Sequence, residues 1–249
     1  MLIIPFKNRG DILITRLLII AILPSISVAL AIYLSDRYDK EPIKLLLKAF
    51  ISGVVIVIPI LIVEKLLVQF NIFYGILGIA YTSFIVAGLI EEYFKRSAVL
   101  RIAYSSKYFD EKLDGIVYSV FISLGFATIE NIMYLLRFSN FNPYVGLYRG
   151  ILSVPAHSIF AVTMGYYVSL AKFSDNEKKE KNFLNKSLYM PIILHGTFNF
   201  ILMLGIPQAN LIFIPYIIYL WKTNQSKLSI YMKESKKRHY NKDIDELEL

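Results

Sequence analysis

The stretches ILITRLLIIAILPSISVALAIYL, residues 12–34, and LLLKAFISGVVIVIPILIV, residues 45–63, decide the fold class. A helix crossing the hydrocarbon core of a bilayer needs roughly 20 apolar residues. A soluble core of this size is built instead from apolar stripes on otherwise polar helices. Both runs are apolar almost all round, so both read as membrane spans. Composition agrees: 56% of the 249 residues are hydrophobic, against roughly 45–50% in a soluble domain.

The same criterion places further helices near 72–93, 115–136, 146–171, 188–205 and 207–221. The expected architecture is all-α: a polytopic transmembrane helical bundle of about seven spans over residues 1–221, followed by a basic and acidic cytoplasmic tail, 222–249. The seventh span is short, follows Pro207 and contains Pro215, so a re-entrant or interfacial segment is its alternative. The tail, poor in apolar residues, reads as solvated and partly disordered. Lys7, Arg9 and Arg16 give the start a signal-peptide look, but the first apolar run exceeds an h-region and lacks a small-x-small exit. It reads as a retained helix.

A formal charge of +8 raises the question of nucleic acid, and the placement of the charges answers it. Twenty of the 27 Lys and Arg residues fall in the alternate connections 35–44, 94–113 and 172–187 and in the tail. By the positive-inside rule the N-terminus is outside and the tail inside. The seventh span keeps the basic tail on that side. The expected partner of the basic excess is the lipid bilayer, with no nucleic acid. Cysteine is absent, which excludes disulfides, thiolate metal sites and a thiol nucleophile.

Ionisable residues at membrane depth cost a few kcal/mol each even on lenient scales, and four places carry them. Glu91 and Glu92 close the third span, with Lys95 four and three residues on, within reach of either. Glu130, followed by Asn131, lies about 20 Å along a helix from the charged loop that ends at Asp114, too far to snorkel to water. His157 follows Pro155. His195 and Asn199, four apart, share a helix face. Each has a structural reading when taken singly: an interfacial salt bridge, a protonated glutamate between helices, or a polar helix contact eased by Gly196. Together they place Glu and His, the residue types that activate water or bind a metal that does so, on four otherwise apolar spans.

The order and spacing of these residues resemble one family. Asp36-Arg37-Tyr38-Asp39-Lys40-Glu41-Pro42 follows the first span, then come Glu91-Glu92-x-x-Lys95, Asp114-Gly115 leading to Gly125-Phe126-x-x-x-Glu130-Asn131, His157, and His195-x-x-x-Asn199. This pattern is similar to that of the PrsW-type intramembrane proteases, in the wider group of CAAX-processing endopeptidases and bacteriocin-immunity membrane proteins. CAAX endopeptidases typically have histidine where this chain has Glu130, which favours the PrsW branch. The resemblance implies a multi-pass protease of the bacterial cytoplasmic membrane that makes the first cut in a single-span, membrane-anchored anti-sigma factor.

On this reading Glu91 or Glu92 is the general base on water, with Lys95 orienting the pair and His157 assisting proton transfer. His195 and Asn199 steady the oxyanion, and Glu130, beside Asn131, holds a histidine tautomer or shares the water. No cofactor is expected. A divalent metal is the alternative, held by three of Glu91 or Glu92, Glu130, His157 and His195, although no HExxH helix is present. Ser153 and Ser158, near His157, are faint nucleophile candidates. The competing function is a proton- or ion-coupled transporter using the same Glu and His residues, against which the chain shows no paired inverted repeats.

Overall fold

The computed structural model describes residues 9–138 and 144–247, without the side chains of 9–17, 145, 210 and 242–247. Lys7 and the last two tail residues lie outside the described residues, as do the side chains of Arg9 and Arg16. Every regular element described is a helix: α1 (Arg9–Ser35), α2 (Ile43–Val55), α3 (Val57–Gln69), α4 (Gly75–Ala80), α5 (Ile90–Val99), α6 (Lys112–Phe138), α7 (Val145–Lys172), α8 (Glu177–Met203) and α9 (Ala209–Leu247). Two π-helical segments, π1 (Tyr81–Leu89) and π2 (Leu100–Tyr104), flank α5. α4, π1, α5 and π2 therefore form one rod, Gly75–Tyr104.

Five helical stretches are long and apolar enough to cross a membrane: Leu18–Ser35, Ile43–Gln69, Gly75–Tyr104, Lys112–Phe138 and Gly146–Lys172. The all-α membrane bundle expected from the sequence is thus present. The sixth and seventh expected spans fall on α8 and α9, which each join an apolar length to a polar one and do not meet that requirement. α2 and α3 make one rod, interrupted for a residue at Ile56. Pro59, in the first turn of α3, has no N–H to return to the preceding turn, which accounts for the break.

α6 is the centre. Ile116, Val117, Val120, Ile122 and Leu124 are all buried along it, and α1, α2 and α7 pack around it. Small residues let backbones touch where the helices cross. A Cβ on Gly125 would lie 2.0 Å from Phe50 O, and one on Gly53 would lie 1.9 Å from Ile122 O. The Gly125 of the Gly-Phe motif is therefore a packing residue that sets Glu130, five residues on, at a fixed depth. Outward, Leu47, Ile51, Ile58 and Ile62 are at least half exposed, the surface a bilayer covers.

The tail differs from expectation. α9 runs unbroken from Ala209, through Pro215, to Leu247, a length of about 58 Å. Tyr231 is 2% exposed and stacks on Tyr166 with ring centroids 5.0 Å apart. Lys227 donates to Thr163 Oγ1 at 2.8 Å, and Arg238 to the Asp110 carbonyl at 2.6 Å. A chain with few aliphatic residues is held here by aromatic stacking and charge-assisted hydrogen bonds.

Candidate active site

Glu91, Glu92 and Lys95 occupy α5, between the two π-helical segments. Wide turns of this kind are rare in helices and recur at functional sites. Successive residues on a helix point about 100° apart, yet Glu91 and Glu92 are 4% and 1% exposed. The reason is Lys95, one turn on, whose Nζ donates to Glu91 Oε2 at 2.8 Å and to Glu92 Oε1 at 3.0 Å. The lysine is itself 1% exposed and lies 4.1 Å from the centroid of the Phe126 ring. Burying any one of these charges alone would cost several kcal/mol, and each is held by the others.

Two further helices complete the cluster. His195 on α8 places Nδ1 2.9 Å from Glu92 Oε1, and its ring stacks on Phe160 at 5.0 Å. Gly196 makes that approach possible: a Cβ there would lie 2.2 Å from the Phe84 ring. His157 on α7 places Nδ1 3.2 Å from Lys95 Nζ and Nε2 2.9 Å from Glu130 Oε2 on α6. An ammonium group only donates, so Nδ1 of His157 accepts, and Nε2 carries the proton that goes to Glu130. The partners thereby fix the tautomer.

Behind Glu130 stands Arg149 of α7, which is not among the candidates drawn from the sequence. Its Nη2 lies 2.7 Å from Glu130 Oε2 and donates to Ser153 Oγ at 3.0 Å, while Nε donates to Asn131 Oδ1 at 2.9 Å. The guanidinium covers the Tyr134 ring at 3.8 Å. One network of alternating charge thus runs from Arg149 through Glu130 and His157 to Lys95, the Glu91–Glu92 pair and His195. The periodic signal was there: Arg149, Ser153 and His157 are four residues apart along one side of α7. Glu64 of α3 was also missed. It lies close enough to Glu91 and Glu130 to repel both. In the sequence it is masked by adjoining Lys65 at the end of an apolar run.

The remaining candidates separate. Asn131 accepts from Arg149 Nε and donates to Ala21 O at 3.4 Å. Asn199 is half buried one turn beyond His195, with its amide in no hydrogen bond among the described residues. Ser153 is engaged by Arg149, and the Ser158 hydroxyl donates to Val154 O of its own helix at 2.9 Å. Neither serine is placed against a base.

A divalent ion has a matching donor set. One ligand atom each from Glu91, Glu92, His157 and His195 lies within 4.8 Å of the others, two carboxylate oxygens and two imidazole nitrogens suited to zinc-like chemistry. Glu130, expected as a ligand, stands behind His157 on the opposite ring nitrogen. That is where an outer carboxylate orients a ligating histidine. Lys95 Nζ lies among these donors and is the cation an ion would displace.

Comparison with known proteins gives this network a family. A model of the PrsW family intramembrane metalloproteases matches residues 41–221, which hold every residue of the network. The chain is 45% identical over 222 residues to Protease PrsW of Clostridioides difficile (strain 630), covering 89% of this chain and 93% of that one. It is 37% identical over 202 residues to Protease PrsW of Bacillus subtilis (strain 168), covering 80% and 88%. No solved structure matches. The chain is therefore a membrane peptidase and belongs to the PrsW family of intramembrane metalloproteases.

Proposed function

We propose that the chain makes the first cut in a single-span, membrane-anchored anti-sigma factor of the bacterial cytoplasmic membrane, with Glu91 as the base that activates water. One observation carries the choice of glutamate. Glu92 Oε1 is shared by Lys95 and His195, whereas Glu91 Oε2 has Lys95 alone within hydrogen-bond distance. Glu91 is also the more exposed side chain of the two, at 6% against 1%. Glu91 takes a proton from water, the hydroxide attacks the scissile carbonyl, and the proton passes to the leaving amine. The products are a carboxylate and an amine, with no covalent enzyme intermediate.

Glu92 holds His195 by its Nδ1. His195 and the unengaged amide of Asn199 share one helix face and take the oxyanion side. Lys95 keeps the two carboxylates from repelling each other apart. Glu130, fixed by Arg149, holds His157 in the tautomer that accepts from Lys95. A divalent ion, if bound, would be held by Glu91, Glu92, His157 and His195 and would supply Lewis acidity and an acidified water.

Depth supports the substrate class. Glu130 and His195 each lie eight residues, about 12 Å, from the end of their helix at Phe138 and Met203. With the N-terminus outside, those ends are external. Side-chain exposure follows the same direction, 18–19% at Arg149 and Glu130 against 1% at Lys95 and Glu92. The more open end of the network is the outer one, the side on which a first cut in an anti-sigma factor is expected.

The test is cleavage of a co-expressed single-span anti-sigma factor by Glu91→Gln, Glu92→Gln and His195→Ala variants that accumulate normally in the membrane. The expected result is loss for all three, with the smallest residual rate in Glu91→Gln. Full cleavage by Glu91→Gln overturns the assignment. Treating the purified wild type with a chelator separates the two chemistries, because only the metal-dependent one is lost and then restored by added zinc.

A further inference from the structure

At the inner end of the bundle α2 and π2 enclose a cleft of about 480 Å³ that plays no part in the site described above. Lys44, Lys48 and Arg101 line it, together with the hydroxyl residues Ser105, Ser106 and Tyr108, and no carboxylate does. The three cations are exposed, and none forms a hydrogen bond or ion pair among the described residues. Two other basic residues at this end have carboxylate partners: Lys112 is 2.9 Å from Glu234, and Arg238 is 3.2 Å from Asp110. Three unpaired positive charges around one concave space, with hydroxyl donors beside them, match a phosphate group.

What lies beside the cleft selects among phosphates. Lys44 and Lys48 are one turn apart on α2, and the neighbouring face carries Ile43, Leu47 and Ile51, which are 67%, 56% and 50% exposed. A phosphate-binding face beside an apolar stripe on one helix, at a membrane boundary, suits a molecule with both parts. We propose that the cleft seats the phosphodiester of an anionic glycerophospholipid, with its acyl chains along Ile43, Leu47 and Ile51. A zwitterionic headgroup brings an ammonium group toward three cations and is disfavoured.

The lipid would be a tie. Arg101 sits six residues, about 9 Å, beyond Lys95 on the rod that carries Glu91 and Glu92, while Lys44 and Lys48 belong to α2. A phosphate bonded to both sides fastens the catalytic rod to its neighbour at their inner ends.

The experiment uses the full chain, purified and delipidated in detergent. Native mass spectrometry reads binding of phosphatidylglycerol and of phosphatidylethanolamine with the same acyl chains. Near-surface cations each favour anionic lipid, so phosphatidylglycerol should bind at least about tenfold more tightly. Lys44→Gln/Lys48→Gln/Arg101→Gln should erase that ratio. Lys178→Gln/Lys181→Gln, which removes two cations of another inner segment, should leave it unchanged, and Lys48→Gln alone should fall between. Equal binding of the two lipids, or a ratio that survives the triple substitution, overturns the proposal. Displacement of the lipid by inorganic phosphate would assign the cleft to a free anion, and displacement by oligoglutamate to an acidic peptide; either outcome also overturns it.

Discussion

Two groups of carboxyls, about 24 Å apart along α6 from Asp114 to Glu130, solve the same problem in opposite ways. In the membrane, Glu91 and Glu92 are buried and Glu130 partly so, with cations, Lys95 and Arg149, set against them. At the inner end, Asp36, Glu41, Glu111 and Asp114 are 0%, 4%, 6% and 1% exposed, with no buried cation among them. They are served by neutral donors: Tyr118 hydroxyl to Glu41, Glu41 N–H to Asp36 Oδ2 at 3.2 Å, and the Asp110 and Glu111 N–H groups to Asp114 Oδ2. Asp36 Oδ1, Glu111 Oε1 and Asp114 Oδ1 have no hydrogen-bond partner among the described residues. Loss of solvation raises the carboxyls of Asp36 to about 6, and of Glu41 and Glu111 to about 7, and neighbouring acids add to the rise. One group is set against counter-charge, whereas the other meets neutral donors and has its carboxyls raised by burial. The first group lies between membrane helices, whereas the second joins the 36–42 loop, the 105–111 loop and α6.

The largest expected effect breaks the first group. Lys95→Met leaves two adjacent buried carboxylates without their cation, a change that costs about 3–5 kcal/mol. Substrate cleavage should be abolished and the melting temperature in detergent should fall. Asp114→Asn in the second group removes a repelling acid and should leave that temperature unchanged or raised. Equal destabilisation by the two substitutions would erase the distinction drawn here.

A smaller effect is expected one step away from the glutamate pair. Arg149→Gln should reduce cleavage by about 10–100-fold, the range for groups that orient a functional histidine. Adding Glu130→Gln removes the charge left behind while keeping an oxygen for His157 Nε2, and should recover part of the rate. A double variant no better than Arg149→Gln would show that Arg149 acts by some route other than the charge of Glu130.

The smallest effect belongs to the second group and is a matter of pH. Carboxyls raised in the folded state bind protons that the unfolded chain releases near pH 4, so their stabilisation is complete at low pH and is lost as pH rises through about 6–7. The melting temperature should therefore decline between about pH 5 and 8. In Asp36→Asn/Glu41→Gln/Glu111→Gln the decline should flatten, and an unchanged slope would locate the dependence elsewhere.

Much of the site was legible one residue at a time. Glu91, Glu92, Glu130, His157 and His195 stand out because apolar spans tolerate few ionisable groups, and Lys95 because helix geometry brings residues three and four apart together. Arg149 and Glu64 were hidden for the opposite reason: each lies near the end of an apolar run, where a charge is ordinary. The α9 tail was misjudged because composition reports average polarity. Its docking rests on a few residues, Tyr231 and Lys227 among them, whose partners lie on α7.

By itself the sequence determined the solvent, the helical class and the set of polar groups the membrane had to bury, since hydrophobic length and the cost of an unpaired charge depend on residue type and spacing alone. Only the tertiary structure decided who pairs with whom. Lys95 within reach of His157, Glu130 turned to the far side of that ring, Arg149 behind it and His195 on Glu92 join helices up to 103 residues apart. Their registers are set where Gly53 meets α6 and Gly196 meets Phe84, contacts that depend on three-dimensional packing and that no local spacing encodes.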